Sequence, residues 1–372
     1  MIKKVLYMRS GPYKPDINMY NMQELGVAKA LLKKGISTDV MYYSDISKVE
    51  TYRETESAKI RIIWEKGYKI LRTGFYPRLL KKSVLGAYDL IVLTEFSQIM
   101  TYLVSRRHNN TILYTGPYYN LFKLPFCEPI YDFLFTKSID KSVRRIFTKS
   151  QLATDYMCAK GYHNVQTLGV GLDTEKFDLE SDILAETRDL INLMKDEHCI
   201  LYVGSLIDRK NFPFTLKVFD LLVNKYHMDY KLVIIGSGEE KYVNGCFNAL
   251  SDNAFSNVIH IDRLPNAQLK YIYPLAEFFI LPSKLEIFGM VMLEAMYFGS
   301  VVITSVNGGS STLINDGVNG LVVNGFDSKE WAIRIVEAIR NNSVDSIRNE
   351  ASRTIKEHFT WDTLVSKMID TN

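Results

Sequence analysis

Fifteen residues, PSKLEIFGMVMLEAM (282–296), place two glutamates around a Phe-Gly pair, with seven residues between them. Pro282 and Gly289 disfavour a helix through the first glutamate, whereas the residues after Gly289 are helix formers. We therefore predict that Glu286 lies on a loop and that Glu294 lies about one turn into a helix.

The predicted helix runs from Met290 to Phe298, and its beginning suits a phosphate group. A helix N-terminus offers unpaired backbone N–H groups and the positive pole of the helix dipole. Carboxylates beside it are natural acceptors for the hydroxyls of a sugar or a ribose. The combination predicts a nucleotide-sugar site, although the spacing alone also fits an amphipathic surface helix with two solvated acids.

The next segment has the pattern of a buried strand followed by a glycine-rich turn. SVVIT (300–304) is the strand, and NGGSS (307–311) opens another helix. With these residues the chain resembles the retaining glycosyltransferases of family 4, the glycosyl transferases group 1. The family signature of Pro-Ser, Glu-x-Phe-Gly, Glu-Ala, a strand and a Gly-Gly turn is matched across 282–309. The exception is Ser300-Val301, where the family has a small residue and proline.

The resemblance implies the arrangement called GT-B, an α/β fold of two Rossmann-like domains facing across a cleft. Length and composition agree with two domains. A chain of 372 residues exceeds what one core usually serves, and a hydrophobic content of 47% is ample for two α/β units. Strand-like runs also alternate with helical stretches, which indicates mostly parallel sheets. The predicted strands are Lys4 to Met8, Ser37 to Tyr42, Leu90 to Thr94, Thr111 to Tyr114, Arg145 to Phe147, Ile200 to Gly204, Lys231 to Gly236, Val258 to Ile261, Phe278 to Leu281 and Val301 to Thr304.

Two further segments suggest the domain boundaries. VGLDTEKF (170–177) resembles the segment that ends the first domain in family 4 enzymes, and EHFTW (357–361) resembles the one that precedes their final helix. We expect an acceptor domain at 1–175 and a donor domain at 176–355. A C-terminal helix within 356–372 is expected to return to the first domain.

The donor domain begins with a strand that ends at Gly204 and is followed by basic residues. Glycine lets the backbone approach a diphosphate, and a cation offsets its charge. Lys210 falls on the family lysine, whereas Ser205 replaces the family arginine and Asn211 the family glycine. Arg209 is the candidate substitute for that arginine. The alternative is a solvated loop with two exposed cations.

The resemblance also assigns roles to the residues around the helix predicted to begin at Met290. Glu286 is expected to bind the hydroxyls of the donor sugar and, with the Lys210 cation that stabilises the leaving diphosphate, to form the catalytic pair. Phe288, Gly289 and Met290 are expected to present backbone to sugar and phosphate. Glu294 is expected to hold the ribose hydroxyls.

A second glycine turn follows the strand that ends at Gly236. It reads Gly-x-Gly but lacks the third glycine of a dinucleotide fingerprint, because Lys241 stands there, so it does not indicate NAD. In the resembling family this turn lies near the nucleotide, which makes Gly236 a donor-site candidate. Arg263, at the end of the next strand, is a candidate beside the base.

The first domain matches the family less closely. The loop after the first strand contains Gly11 where family members often carry a Gly-Gly pair. The segment YTGPYY (114–119) lies where many relatives have a histidine near the reacting sugar, and it has none. Gly11 and Gly116 are the candidate cleft residues on the acceptor side.

Composition excludes several other classes of protein. The 45 basic and 42 acidic residues nearly balance, and no nucleic-acid motif is present, so nucleic acid is not an expected partner. The four cysteines (Cys127, Cys158, Cys199, Cys246) have no metal-ligand spacing and suggest reduced, intracellular thiols. No cofactor or metal is expected beyond the nucleotide-sugar substrate, since Lys210 and the helix N-terminus replace a metal.

No apolar run approaches the roughly 18 residues that span a bilayer, and the N-terminal apolar run is too short for a signal peptide. We therefore expect a cytoplasmic protein. Residues 59–82 hold eight Lys or Arg against one acid and fit a basic amphipathic helix. Such a helix would bind the anionic inner face of a membrane, although core packing alone would also produce its apolar stripe.

The expected function is a retaining, hexosyltransferase-type reaction in polysaccharide biosynthesis. The donor is a nucleotide sugar, and the acceptor a lipid-linked or cell-surface glycan precursor. Alternatives are a soluble enzyme that makes a small glycoside, a nucleotide-sugar epimerase of the same architecture, and a catalytically silent partner subunit. Ser205 and the missing histidine favour the silent partner, whereas Glu286, Glu294 and Lys210 favour transfer.

Overall fold

The computed structural model describes residues 2–17, 19, 22–178 and 181–370. The described residues divide into two compact units. Unit 1 contains the residues up to Gly171 and those from Thr360 onward, and unit 2 contains Leu172–Phe359.

Unit 1 is built on an eight-stranded sheet and a separate hairpin. The sheet order is β10-β9-β8-β7-β1-β2-β4-β3, and every pairing is parallel except that of β3 with β4. The hairpin pairs β5 with β6. The strands are β1 (Lys4–Met8), β2 (Ser37–Ser44), β3 (Lys48–Glu54), β4 (Lys59–Lys66), β5 (Tyr68–Ile70), β6 (Thr73–Phe75), β7 (Leu90–Thr94), β8 (Thr111–Thr115), β9 (Arg145–Thr148) and β10 (Val165–Thr167).

Unit 2 is built on a six-stranded parallel sheet of order β13-β12-β11-β14-β15-β16. Its strands are mostly apolar, and all except the edge strand β13 are largely buried, as expected for a parallel sheet covered on both faces. They are β11 (Cys199–Val203), β12 (Lys231–Ile235), β13 (Val258–Ile261), β14 (Phe278–Leu281), β15 (Val301–Ser305) and β16 (Leu321–Val323).

The helices connect these strands. Those of unit 1 are α1 (Gln23–Lys33), α2 (Lys82–Leu85), α3 (Ile99–Ser105), α4 (Cys127–Tyr131), α5 (Lys137–Ser142) and α6 (Gln151–Ala159), with a π-helical turn over Asp132–Thr136. Those of unit 2 are α7 (Glu175–Asp178), α8 (Ala185–Met194), α9 (Phe212–Asn224), α10 (Glu240–Phe247), α11 (Asp252–Phe255), α12 (Met290–Tyr297), α13 (Ser310–Leu313), α14 (Ser328–Arg340) and α15 (Val344–His358). The final helix, α16 (Trp361–Ile369), lies in unit 1.

Helix α16 is fixed to unit 1 by the indole of Trp361. This ring packs edge-on to Tyr114 at 6.4 Å between centroids. A Cβ added at Gly26 or at Gly171 would lie within 3 Å of the indole, so both positions must lack a side chain. Lys33 of α1 adds an ion pair with Asp362 at 2.8 Å.

The ten strands predicted from the sequence are all present, with ends that differ from the predicted ones by at most two residues. The two α/β units also confirm the predicted Rossmann-like organisation. Strands β3 to β6, β10 and β16 were not predicted. Most of them are short or exposed, so their apolar pattern is weak.

The predicted basic amphipathic helix at 59–82 is wrong. This segment forms β4, the β5–β6 hairpin, a 3-10 turn over Pro77–Leu80 and α2. The β-branched residues of β4 favour a strand, and β4 lies between β2 and β3, where most of it is buried. Two of the eight cations are neutralised inside unit 1, Arg61 by Asp39 and Arg78 by Glu65.

Within the described ranges, no helix combines the length and the apolar character that crossing a bilayer requires.

Candidate functional site

The order in which the chain adds strands to the sheet of unit 2 reverses between β11 and β14. From β11 the chain adds β12 and β13 on one side, and it then returns to add β14, β15 and β16 on the other. Loops that follow two strands of this kind diverge and leave a crevice at the carboxyl edge of the sheet. The loop after β11 carries Lys210, and the loop after β14 carries Glu286.

Three residues predicted for the site meet at this point. Lys210 Nζ donates a hydrogen bond to Oε2 of Glu286. Arg209 Nη1 donates to the carbonyl oxygen of Leu285 at 2.8 Å and lies 3.8 Å from Glu286 Oε2. The backbone N–H of Lys284 donates to the carbonyl oxygen of Arg209 at 3.0 Å, which joins the two loops directly.

The two cations differ in exposure. The side chain of Lys210 is only 14% exposed, as is that of Glu286, whereas Arg209 is half-exposed. Asn211, the next residue, has φ +55°, a left-handed conformation in which asparagine is well tolerated. This explains how asparagine stands where the resembling family has glycine.

The Glu286 loop is held from behind by the turn after β15. Gly308 donates its N–H to the carbonyl oxygen of Glu286 at 3.1 Å. A Cβ built on Gly309 would lie 1.8 Å from the carbonyl oxygen of Phe288, so only glycine permits this contact. The turn itself is fixed by buried Asn307, whose side-chain oxygen accepts from the N–H groups of Gly309 and Ser310.

Helix α12 begins where the sequence predicts. Gly289 precedes it with φ +80°, and Met290 is its first residue. The side chain of Phe288 is buried in the core. The predictions that Glu286 lies on a loop and Glu294 on a helix are both confirmed.

Glu294 is buried on α12, and its partners within unit 2 include Tyr273 and Lys176. Tyr273 Oη donates to one carboxylate oxygen at 3.0 Å, and Lys176 Nζ donates to the other at 3.2 Å. Burial raises the pKa of the Glu294 carboxyl well above its usual value, and the Lys176 cation opposes this by favouring the carboxylate.

Gly204 and Gly236 lie where the turns after β11 and β12 touch. A Cβ on Gly236 would lie 1.9 Å from the carbonyl oxygen of Gly204, and the N–H of Gly204 donates to Ile235 at 3.0 Å. Gly236 is therefore required by backbone packing, and Gly204 has φ +153°, a conformation that residues with a side chain rarely adopt. His260 Nε2 lies 2.9 Å from the carbonyl oxygen of Gly236.

The remaining predicted residues are not part of this cluster. Arg263 lies on an exposed loop after β13. Gly11 and Gly116 belong to unit 1, in the loops after β1 and β8. A role for any of them stays a prediction.

Sequence analysis missed Lys176 and Tyr273, the partners of Glu294. Lys176 lies in the segment that served only as a domain boundary, and the observed boundary at Gly171 assigns it to unit 2. Its neighbour Phe177 stacks on Tyr297 of α12 at 5.3 Å. The apolar side chain of Phe177 was therefore the sequence signal that the segment around Lys176 packs against another element.

Comparison with known proteins supports the resemblance predicted from the sequence. Residues 185–358 match the family model described as glycosyl transferases group 1, which confirms the predicted resemblance for most of unit 2. The chain is 29% identical over 208 residues to a D-inositol 3-phosphate glycosyltransferase of Xylanimonas cellulosilytica, covering 54% of this chain and 49% of that protein. It is 27% identical over 246 residues to the capsular polysaccharide biosynthesis glycosyltransferase CapM of Staphylococcus aureus, covering 62% and 60%. The chain spans about half the length of the curated relatives it matches.

Among solved structures, the chain is similar to an Escherichia coli protein described as trehalose-6-phosphate bound with UDP-2-fluoro glucose. The TM-score is 0.71 at 12% identity, and the match covers 99% of this chain and 98% of that one. At this identity the likeness establishes the fold, the two Rossmann-like domains of the GT-B class.

Proposed function

We propose that this protein is a retaining glycosyltransferase that moves a sugar from a nucleotide-sugar donor to an acceptor. The observation that carries the proposal is the Lys210–Glu286 pair at the switch point of unit 2. It combines a cation suited to a diphosphate and a carboxylate suited to sugar hydroxyls at the edge where α/β sheets bind their ligands.

The proposed donor pose uses the two loops and α12. The diphosphate lies by Lys210, Arg209 and the N-terminus of α12, and the sugar hydroxyls lie at Glu286. When the donor binds, Lys210 exchanges its carboxylate partner for the diphosphate, and Glu286 becomes available to the sugar. The resting ion pair therefore keeps two largely buried charges compensated until the donor replaces that contact.

Glu294 is the proposed ribose ligand. An ionised carboxylate accepts hydrogen bonds at both oxygens, as Glu294 already does from Tyr273 and Lys176. Two adjacent hydroxyls of a ribose are suitable donors to such a carboxylate. Lys176 opposes the effect of burial by favouring the ionised carboxyl, which only accepts hydrogen bonds.

The proposed chemistry needs no enzymic nucleophile. The acceptor oxygen attacks the anomeric carbon on the face from which the diphosphate departs, which preserves the anomeric configuration. The bond from the anomeric carbon to the diphosphate oxygen breaks, and the acceptor proton passes to the departing phosphate. Lys210 stabilises the negative charge that develops there, so the proposal requires neither metal nor cofactor.

The proposed acceptor is a lipid-linked or cell-surface glycan precursor, used in the cytoplasm. The similarity to a capsular polysaccharide biosynthesis glycosyltransferase supports an acceptor of this class. Hexosyl transfer is the proposed type of reaction.

The test is a product analysis with labelled UDP-, GDP- and ADP-hexoses, with and without a bacterial lipid extract as the acceptor source. We expect label in the lipid fraction with one donor class, release of the nucleoside diphosphate, and retained anomeric configuration by NMR. Lys210→Ala should abolish most of this transfer. Conversion of the donor to its epimer without acceptor would identify an epimerase. No binding and no turnover with any donor would identify a silent partner.

A further inference from the structure

A helical segment of unit 1, residues 127–142, exposes an unusual number of large apolar side chains. It consists of α4, the π-helical turn and α5 in direct succession. Phe133 is 88% exposed and Leu134 57% exposed. Three more large apolar residues in or just before the segment are also more than half-exposed: Leu124, Phe126 and Ile130.

The opposite side of this segment is firmly packed. Tyr131 Oη donates to the carbonyl oxygen of Phe96 at 2.8 Å, and the Phe135 ring contacts Tyr102 at 4.9 Å between centroids. Ile139 is fully buried. The exposed side chains therefore stand on an anchored helix.

The acids of the segment all have partners in unit 1. Glu128 and Asp132 both form ion pairs with Lys160, and Asp140 pairs with His163 at 2.8 Å. The segment's negative charge is thus engaged with α6 and the turn that follows it.

The exposed cations nearby have no such compensation. Lys123, Lys137 and Lys141 are exposed, and in the described part of the chain none of them forms an ion pair. Lys141 also lines a polar concave surface together with Arg106, the residue that follows α3. We call the five exposed apolar residues and these three lysines the apolar-basic face.

The β5–β6 hairpin exposes a second apolar feature that shares an anchor with this segment. Leu71 at its tip is 97% exposed with φ +55°. The loop that holds Tyr131 through Phe96 also holds the hairpin, because Gln98 Nε2 donates to the carbonyl oxygen of Arg72 at 3.3 Å.

We propose that the apolar-basic face docks unit 1 on an anionic lipid bilayer. The apolar side chains enter the boundary between headgroups and acyl chains, and the lysines contact lipid phosphates, as in other interfacial amphipathic helices. Charge complementarity selects this partner, since the face combines prominent aromatic and aliphatic groups with uncompensated cations while its acids are engaged elsewhere. The contact differs from the one expected from sequence, which assigned membrane binding to a helix at 59–82.

The test is co-sedimentation of the full chain with phosphatidylcholine vesicles, with and without phosphatidylglycerol. We expect binding to the anionic vesicles that salt weakens. Phe133→Ser combined with Leu134→Ser should reduce this binding about tenfold or more. The matched control is Leu193→Ser, because Leu193 on α8 of unit 2 is a leucine of almost equal exposure, 56%. That control should bind as the native chain does.

A second pair of variants tests the charge contribution. Lys137→Glu with Lys141→Glu should weaken binding to anionic vesicles at low salt, whereas exposed Lys217→Glu on α9 should not. Absence of binding by the native chain, or equal binding by the Phe133/Leu134 variant, would overturn the proposal. So would a dimer in light scattering that this variant converts to a monomer, since the face would then join two copies. Because vesicle binding requires no donor, failure of the proposed function would leave this result unaffected.

Discussion

Lys210 and Glu286, 76 residues apart in the chain, form a hydrogen-bonded ion pair that joins the loop after β11 to the loop after β14. Both side chains are largely withdrawn from solvent. A buried pair of this kind is costly to break unless another charge replaces the lost partner. In the proposed function, the diphosphate would replace the carboxylate beside Lys210, and the sugar hydroxyls would donate hydrogen bonds to Glu286.

Replacing Lys210 should impair the chemical step. We expect Lys210→Ala to lower kcat about 100-fold or more, because it removes a charge that opposes the developing negative charge on the leaving group. Arg209→Ala should have a smaller effect, since that side chain is half-exposed. Steady-state kinetics with saturating donor measure both. Lys217→Ala serves as the control, and a Lys210→Ala kcat near that of the control would contradict the assignment.

The two glutamates should have separable effects. Glu294→Ala should weaken donor binding about tenfold, or about 1.4 kcal/mol, because the ribose loses its acceptor. Glu286→Ala should mainly lower turnover, because its contacts are to the reacting sugar. Calorimetric titration of the donor and single-turnover rates distinguish the two effects. Near-normal values for both variants would refute the site.

Lys176 should control how stability depends on pH. Burial raises the pKa of Glu294 in the folded protein, so above the unfolded value of about 4.3 the folded state holds its proton longer than the unfolded chain does. The free energy of unfolding therefore falls as pH rises through this range, and the Lys176 cation limits the fall. Between about pH 5 and pH 8, the free energy of unfolding of Lys176→Met should fall by about 1–3 kcal/mol more than that of the native chain.

Urea unfolding at both pH values measures this difference. In a Glu294→Gln background, Lys176→Met should have no pH-dependent effect, because the titrating carboxyl is gone. Parallel pH profiles for the native chain and Lys176→Met would show that the contact with Glu294 does not stabilise the carboxylate.

The turn behind the Glu286 loop should tolerate no side chain at Gly309. Gly309→Ala forces a Cβ against the carbonyl oxygen of Phe288, and we expect a loss of about 1–3 kcal/mol in unfolding free energy together with reduced turnover. Gly245 on α10 is the matched control, since its Cβ would meet nothing within 4 Å. Gly245→Ala should stabilise the protein by about 0.5–1 kcal/mol. Thermal or urea unfolding should show that Gly309→Ala lowers the free energy of unfolding and that Gly245→Ala raises it.

The elements that position the site could be predicted because their signals are local. Pro282 and Gly289 bracket a loop, and the helix-forming run from Met290 needs no distant partner to be recognised. The buried parallel strands were equally clear, since each is a short continuous apolar run.

The contacts of the site could not be predicted, because they join distant parts of the chain. Lys176 and Glu294 are 118 residues apart, and only the fold brings them together. The 59–82 error has a related cause. Ile60, Ile63 and Trp64 fit one face of a helix as well as they fit a strand, and pairing with β2 and β3 decided in favour of the strand.

The most direct test of the central claim is a thermal-shift screen of the native chain and Glu294→Ala against UDP, GDP, ADP, CMP and their common sugar conjugates. A ligand of the native state raises the unfolding midpoint by mass action. We expect one nucleotide family, and its sugar conjugates most strongly, to raise the midpoint of the native chain, with a smaller rise for Glu294→Ala. No shift with any of these ligands, or an equal shift for both proteins, would contradict a nucleotide-sugar site at Lys210, Glu286 and Glu294.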